Sequence, residues 1–188
     1  MSKRVSVFID ASNLWAVQKV RGQYLDLKQL KEYLKIAHGA TTMVLYYYDA
    51  YPETGTRDYD TSGKHAFYTY LKKGLGFIVR KKPLKQLHIT TDQGVVVQEK
   101  GNMDVELVID AVNKVEKYDE AILFSGDSDF LALVRFIRNR GKKVYVYSTR
   151  TNISKELLTG GDGYRDILNI KDNIWRGKIE HRNKTTLD

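Results

Sequence analysis

The stretch EAILFSGDSDFLALVRFIRNRGKKVYVYS, residues 120–148, contains a complete strand, helix, strand unit. EAILF is apolar on both of its faces, as a strand must be when helices cover a sheet from above and below. GDSD then turns into a helical segment ending at Gly141, and KKVYVYS is β-branched and aromatic again. Two strands joined through a helix run parallel, so this stretch predicts an α/β fold with a mainly parallel sheet.

The same alternation holds upstream. RVSVFID (4–10) is a strand ending on Asp10, and ASNLWAVQKVRG (11–22) a helix that Ser12 or Asn13 is expected to cap and Gly22 to close. DLKQLKEYLKIAHG (26–39) sets Leu27, Leu30, Leu34 and Ala37 on one face behind an Asp26 cap. TTMVLYYYDA (41–50) is a second strand carrying Asp49 at its end. A polar loop (51–63) leads to a helix with Phe67, Tyr70 and Leu71 in a stripe, and GFIVRKK (76–82) is the third strand. LHITTDQGVVVQEKG (87–101) reads as a β-hairpin about Asp92-Gln93-Gly94, an insertion projecting from the core. NMDVELVIDAVNKVEKY (102–118) is the strongest helix, with Val105, Val108, Ile109, Val112 and Val115 as its apolar stripe. NISKELLTGGDGYRDILNI (152–170) closes the domain with a helix and a short terminal segment, and periodicity stops there. One domain over 1–170 and a basic tail over 171–188 are expected.

Charge narrows the function. The chain has 31 Lys+Arg against 23 Asp+Glu, a net charge of +8, with clusters at Arg80–Lys85, Arg135–Lys143 and Arg176–Lys184. Such clusters suit a polyanion, nucleic acid above all. Cysteine is absent, which excludes disulfides and thiolate chemistry. The four histidines, His38, His65, His88 and His181, have no zinc-ligand spacing. Neither an apolar run near 18 residues nor a signal-peptide pattern occurs, so a soluble, cytoplasmic protein without a membrane partner is expected.

Against this basic background the acids stand out. In a parallel sheet the functional crevice lies beyond the carboxyl ends of the strands, where the strand order reverses. Asp10 ends the first strand, Asp127 and Asp129 follow the fourth, and Asp104 sits in the first turn of the helix before it. Each has an ordinary explanation as a helix cap or a first-turn acid. Together, four carboxylates at one edge must raise one another's pKa or bind a cation. Mg2+ or Mn2+ takes carboxylate and water oxygens, and two such ions about 4 Å apart can activate a water and stabilise a leaving phosphate-ester oxygen. Asn13 and Ser125 are supporting contacts to a phosphate or a metal-held water in this reading, or simply a cap and a turn. Lys100 is a phosphate contact or a solvated side chain. Asp110 turns away from Asp104 and is read as solvated or supporting, Asp49 as a strand-end acid, and the tyrosines of YYYDAY and FYTYL as packing.

These motifs resemble a known family. VFIDASNL (7–14), EKGNMDVELVIDA (99–111), AILFSGDSDFLALV (121–134) and GKKVYVYS (141–148) look, in order, like those of the NYN domain, a branch of the PIN-like nucleases. The resemblance implies a three-layer α/β/α PIN-like (Rossmannoid) fold with strand order 3-2-1-4-5, and metal-dependent ribonuclease activity on RNA. Asp10, Asp104, Asp127 and Asp129 match the acidic positions and are the implied Mg2+ or Mn2+ ligands and catalytic residues. Asn13 and Ser125 match recurrent polar positions, and Asp162 stands where relatives often carry an acid before an aromatic.

The alternative is an RNA-binding regulatory adaptor that keeps the acids with little turnover. A haloacid-dehalogenase-like phosphatase wants an acid at position 12, which is Ser12. A glycosyltransferase reading of DSD leaves Asp10 and Asp104 unexplained. No Walker or GxGxxG loop occurs, so no nucleotide cofactor is expected. The oligomeric state stays open, a homodimer among the options.

Overall fold

A computed structural model describes residues 2–52, 62–91 and 94–179. Residues 53–61 of the expected polar loop (51–63), the Asp92-Gln93 turn and the tail from 180 onward lie outside the described residues. The central sheet has six strands, all parallel: β1 (Arg4–Asp10), β3 (Thr42–Tyr51), β4 (Ile78–Pro83), β7 (Glu120–Phe124), β8 (Lys143–Ser148) and β9 (Gly163–Asp166). Their order is β4-β3-β1-β7-β8-β9. The expected 3-2-1-4-5 order is therefore present, with β9 added at one edge. β1 has β3 on one side and β7 on the other, so the order reverses at β1 and a crevice opens at its carboxyl end.

Strand alternation divides the core into two layers. Val5, Val7 and Ile9 of β1 face one way, where α1 (Ala11–Arg21) and α2 (Leu27–Ala37) bury Leu14, Val17, Leu30 and Leu34. Phe8 faces the other way, with Tyr46, Tyr48 and Leu123, under α4 (Asp104–Asn113) and α5 (Leu131–Asn139). Each fully buried Leu or Phe contributes about 1.5–3 kcal/mol. The same alternation puts Asp10, two residues after Phe8, on the face that α4 covers.

The inward face of α4 differs from the expected stripe. Leu107, Asp110 and Ala111 are buried, whereas Val105 and Ile109 are 63% and 52% exposed. Asp110 is thus neither solvated nor a companion of Asp104. Its carboxylate accepts from Arg80 Nε at 3.0 Å and Tyr48 Oη at 3.1 Å, and Lys114 completes the pairing. Burial alone would raise its pKa, but these three partners outweigh burial and hold it below the ordinary carboxylate range. Asp49 is buried likewise, accepting from Tyr68 Oη at 2.7 Å and pairing with Lys64 at 3.2 Å. Tyr46, Tyr47, Tyr48 and Tyr68 are all buried, in keeping with packing.

The chain continues into the fold past residue 170. Ile174 and Trp175 join the core, and β10 (Trp175–Lys178) pairs antiparallel with β2 (Gln23–Leu25), closing a small second sheet. Strands this short carry too few residues to show a period in sequence. The expected hairpin is present as β5 (Lys85–Thr91) and β6 (Gly94–Lys100), a sheet of its own.

At the amino end of the sheet, opposite the crevice, the buried Glu120 accepts from Lys3 Nζ at 2.8 Å and from His38 Nδ1, while His38 Nε2 meets Tyr147 Oη at 2.7 Å. Arg4 and Asp119 join the starts of β1 and β7 through a 2.6 Å contact.

Candidate active site

Asp10 is both the last residue of β1 and the N-cap of α1. Its backbone is extended, and its Oδ1 accepts from the backbone N–H of Ser12 at 2.9 Å and from Ser12 Oγ at 2.8 Å. The cap is therefore the strand-ending acid itself, two or three positions before the expected Ser12 or Asn13. Burial pushes the Asp10 carboxyl above the ordinary range, and the hydrogen bonds from Ser12, Asn13 and Ser125 offset part of that.

Ser125 is buried immediately after β7 and ties the two central strands together. Its Oγ donates to Asp10 Oδ2 at 3.4 Å and accepts from the backbone N–H of Asp127 at 3.3 Å. Asp127 caps the 3-10 turn Ser128–Phe130, accepting from the N–H of Asp129 at 2.9 Å, and both Asp127 and Asp129 are exposed. Capping and ligation do not compete here, because only one oxygen of Asp127 accepts that bond.

Gly126 sets the turn. A Cβ there would lie 2.2 Å from the carbonyl oxygen of Asn152, and its own carbonyl accepts from the N–H of Ser154 at 2.9 Å. The turn is thus pressed against backbone on the far side of β8, with no room for a methyl group. Gly126→Ala is expected to cost about 1–3 kcal/mol as backbone shifts to relieve the overlap. Urea denaturation of the variant measures it, and an unchanged midpoint would show that the turn yields freely.

Asp104 opens α4 beside these residues, with Asn102 Nδ2 donating to its Oδ2. Burial raises its pKa most, and the negative charges of Asp10, Asp127 and Asp129 add to that effect, while Lys82 works against them. All four acids expected from the sequence therefore share one electrostatic neighbourhood at the carboxyl ends of β1 and β7. Among the described residues, no three acidic or histidine side chains close around a single point tightly enough to hold an ion by themselves.

The supporting residues are placed unevenly. Asn13, buried on α1, accepts from Ser148 Oγ at 2.8 Å, and its Nδ2 donor has no partner among the described residues. Lys100 is exposed at the end of β6. The cation acting on Asp104 is instead Lys82, at the end of β4, ion-paired to Glu106 of α4 at 2.7 Å. It lies within the basic cluster visible in the sequence, and its position at a strand's carboxyl end was the signal that distinguished it. Asp162 is at the wrong end of the sheet: it accepts from the N–H of Val144 at 2.8 Å and faces Arg138, near the amino end of β8.

The donor set suits a hard divalent ion. It offers carboxylate oxygens only, with Asp10 and Asp104 shifted upward chiefly by burial, and Mg2+ keeps several waters and needs only one or two carboxylates directly. The open arrangement is compatible with such a hydrated ion.

Comparison with known proteins agrees with this architecture. The chain is 33% identical over 171 residues to the low amplitude and bright protein LabA of Synechococcus elongatus, covering 91% of this chain and 87% of that protein. A crystal structure of a protein of unknown function from Vibrio parahaemolyticus superposes with a TM-score of 0.67 at 24% identity, over 93% of this chain and 97% of that one, which shows the shared fold. The NYN domain model matches residues 4–168, spanning all the motifs that build the crevice. On the strength of that match, the chain belongs to the NYN domain family, of the RNase-like PIN type.

Proposed function

We propose that the protein is a metal-dependent ribonuclease whose centre is Asp10, Asp104, Asp127 and Asp129. The observation that carries this reading is the state of Asp104: burial and three neighbouring carboxylates raise its pKa, and Lys82 opposes them. Such a cluster is unfavourable until a cation neutralises it, and the cost is useful only if the cation is. Bound Mg2+ or Mn2+ would supply Lewis-acid activation of water and charge stabilisation at the phosphate. Asp10 and Asp104 would hold the ion on the sheet side, Asp127 and Asp129 on the turn side. Ser125 keeps Asp10 and the turn in register, and the unused Nδ2 of Asn13 is a donor for phosphate or water. Lys82 and the other basic residues at the end of β4 would hold the RNA backbone, with affinity falling steeply as salt rises.

The test is cleavage of a labelled mixed-sequence RNA with Mg2+, with Mn2+ and with EDTA, alongside the matching DNA. Metal-dependent RNA cleavage is the expected result, and RNA binding without turnover under every metal would overturn it. That second outcome defines the RNA-binding adaptor, a reading favoured by the lack of a preformed three-acid enclosure among the described residues.

Metal binding also has a pH signature. An acid whose folded pKa is raised contributes stability at low pH and loses it as pH rises through the folded value. Asp10 and Asp104 both behave this way. Mn2+ replaces the lost protons, so saturating Mn2+ should raise Tm by about 5 °C at pH 7.5 and by much less near pH 4. Differential scanning fluorimetry at the two pH values checks it, and equal shifts would place the ion elsewhere.

A further inference from the structure

The β5–β6 ribbon is an anomaly among the described residues. It forms a sheet of two strands, and from Lys85 to Lys100 its described side chains are exposed except that of Glu99. Leu87, Ile89, Val95, Val96 and Val97 are nevertheless large apolar residues, between 40% and 63% exposed. The pairing Ile89↔Val96 puts Leu87, Ile89 and Val96 on one face, and His88↔Val97 and Thr90↔Val95 put the remaining valines on the other. Two-stranded ribbons are marginal in water on their own, and proteins guard exposed strand edges with charge, proline or a covering element. In a chain that is 29% charged, neither Leu87–Thr91 nor Gly94–Gln98 contains an Asp, Glu, Lys or Arg.

We infer that this ribbon is the interface through which two copies of the chain associate, packed on its counterpart about a two-fold axis. Charge selects this occupant. An RNA-binding arm would carry lysine or arginine to meet phosphates, and this one has them only at its root, at Lys85 and Lys100. Two molecules of net charge +8 repel, and the uncharged window is a place where they can touch without opposing like charges. A ribbon with unguarded edges and apolar faces is also self-complementary, as an isologous contact requires. A specific interface needs about 1,000 Å2 in all, so the contact takes in the ribbon's edge as well as the Leu87, Ile89 and Val96 face on both copies. Directly after the ribbon, α4 exposes Val105 and Ile109 one turn apart, so the apolar surface continues along the chain to the helix that begins with Asp104.

Sedimentation velocity of the native chain at tens of micromolar, without RNA or metal, tests this, beside Ile89→Lys combined with Val96→Lys. Native dimer and monomeric variant, with the same circular dichroism and Tm as far as monomer stability allows, is the expected pair of results. A native monomer, or a variant that stays dimeric, overturns the inference. A second variant keeps the test independent of folding. Because the chain has no cysteine, Val96→Cys introduces a unique thiol, and mild oxidation should give a cross-linked dimer in high yield if the ribbons meet, and none if they do not. A native monomer whose double-lysine variant changes RNA affinity instead would identify the ribbon as a nucleic-acid arm. None of these readouts uses catalysis, so the interface and the nuclease reading stand or fall separately.

Discussion

Asp127→Asn is expected to lower RNA cleavage by at least about 10²-fold while leaving the fold and most RNA binding in place. Asparagine has the same shape and retains a side-chain oxygen for the N–H of Asp129, so the cap that opens the Ser128–Phe130 turn survives. Asp127 is exposed, and a surface change that preserves a cap moves stability by no more than about 0.5 kcal/mol. What disappears is one negative charge from the group proposed to hold the cation. Asp10→Asn should lose cleavage similarly but gain stability in the absence of metal, because burial no longer opposes a charge there. Single-turnover cleavage by rigorously purified variants decides the matter, and native rates in Asp127→Asn would sink the assignment of the turn acids.

The other large effect lies at the opposite end of the sheet. Glu120→Ala should destabilise the protein by about 3–5 kcal/mol, the range for removing one partner of a buried ion pair. Glu120 is 1% exposed, and its loss strands the buried His38 Nδ1, whereas Lys3 keeps water and the carbonyl oxygen of His38. In a domain stable by about 5–15 kcal/mol that is a substantial share, and Tm should fall by about 10 °C. The pH dependence runs opposite to that of the crevice. Burial alone would raise the Glu120 pKa, but hydrogen bonds from His38 and Lys3 outweigh it and lower the value. An acid with a lowered folded pKa contributes stability above its unfolded value, about 4.3, and loses it as pH falls through the folded value. Urea denaturation should show a wide gap between native and variant at pH 7 that narrows near pH 3. A constant gap would mean that shape, not charge, holds this corner.

The parallel strands and the position of the four acids were legible because each rests on a local signal, whereas the strand order came from the family resemblance. Apolar runs such as EAILF mark buried parallel strands, and an acid at a strand's end marks the crevice edge. What stayed hidden depends on partners distant in sequence. Nothing near Asp110 announces that Arg80, thirty residues earlier, reaches it, so a charge on the inner face of α4 looked improbable and the β-branched positions Val105 and Ile109 looked like core. The choice of Lys82 over Lys100 has the same origin, since it depends on where β4 ends relative to α4. β2 and β10 were too short to register, and their pairing joins residues at opposite ends of the chain.

The central position of β1 has a consequence for biosynthesis. Asp10 is made before the other three acids, its partner Ser125 lies 115 residues further on, and the turn acids follow Ser125. At ribosomal rates of about 5–20 residues per second, on the order of ten seconds separate the first acid from the last. β1, β3 and β4 can pair during that interval, but the cluster remains incomplete until β7 slots beside β1. From Asp10 to Ser125 the nascent chain therefore elongates, next to the messenger and ribosomal RNA that surround it, without an assembled acidic centre.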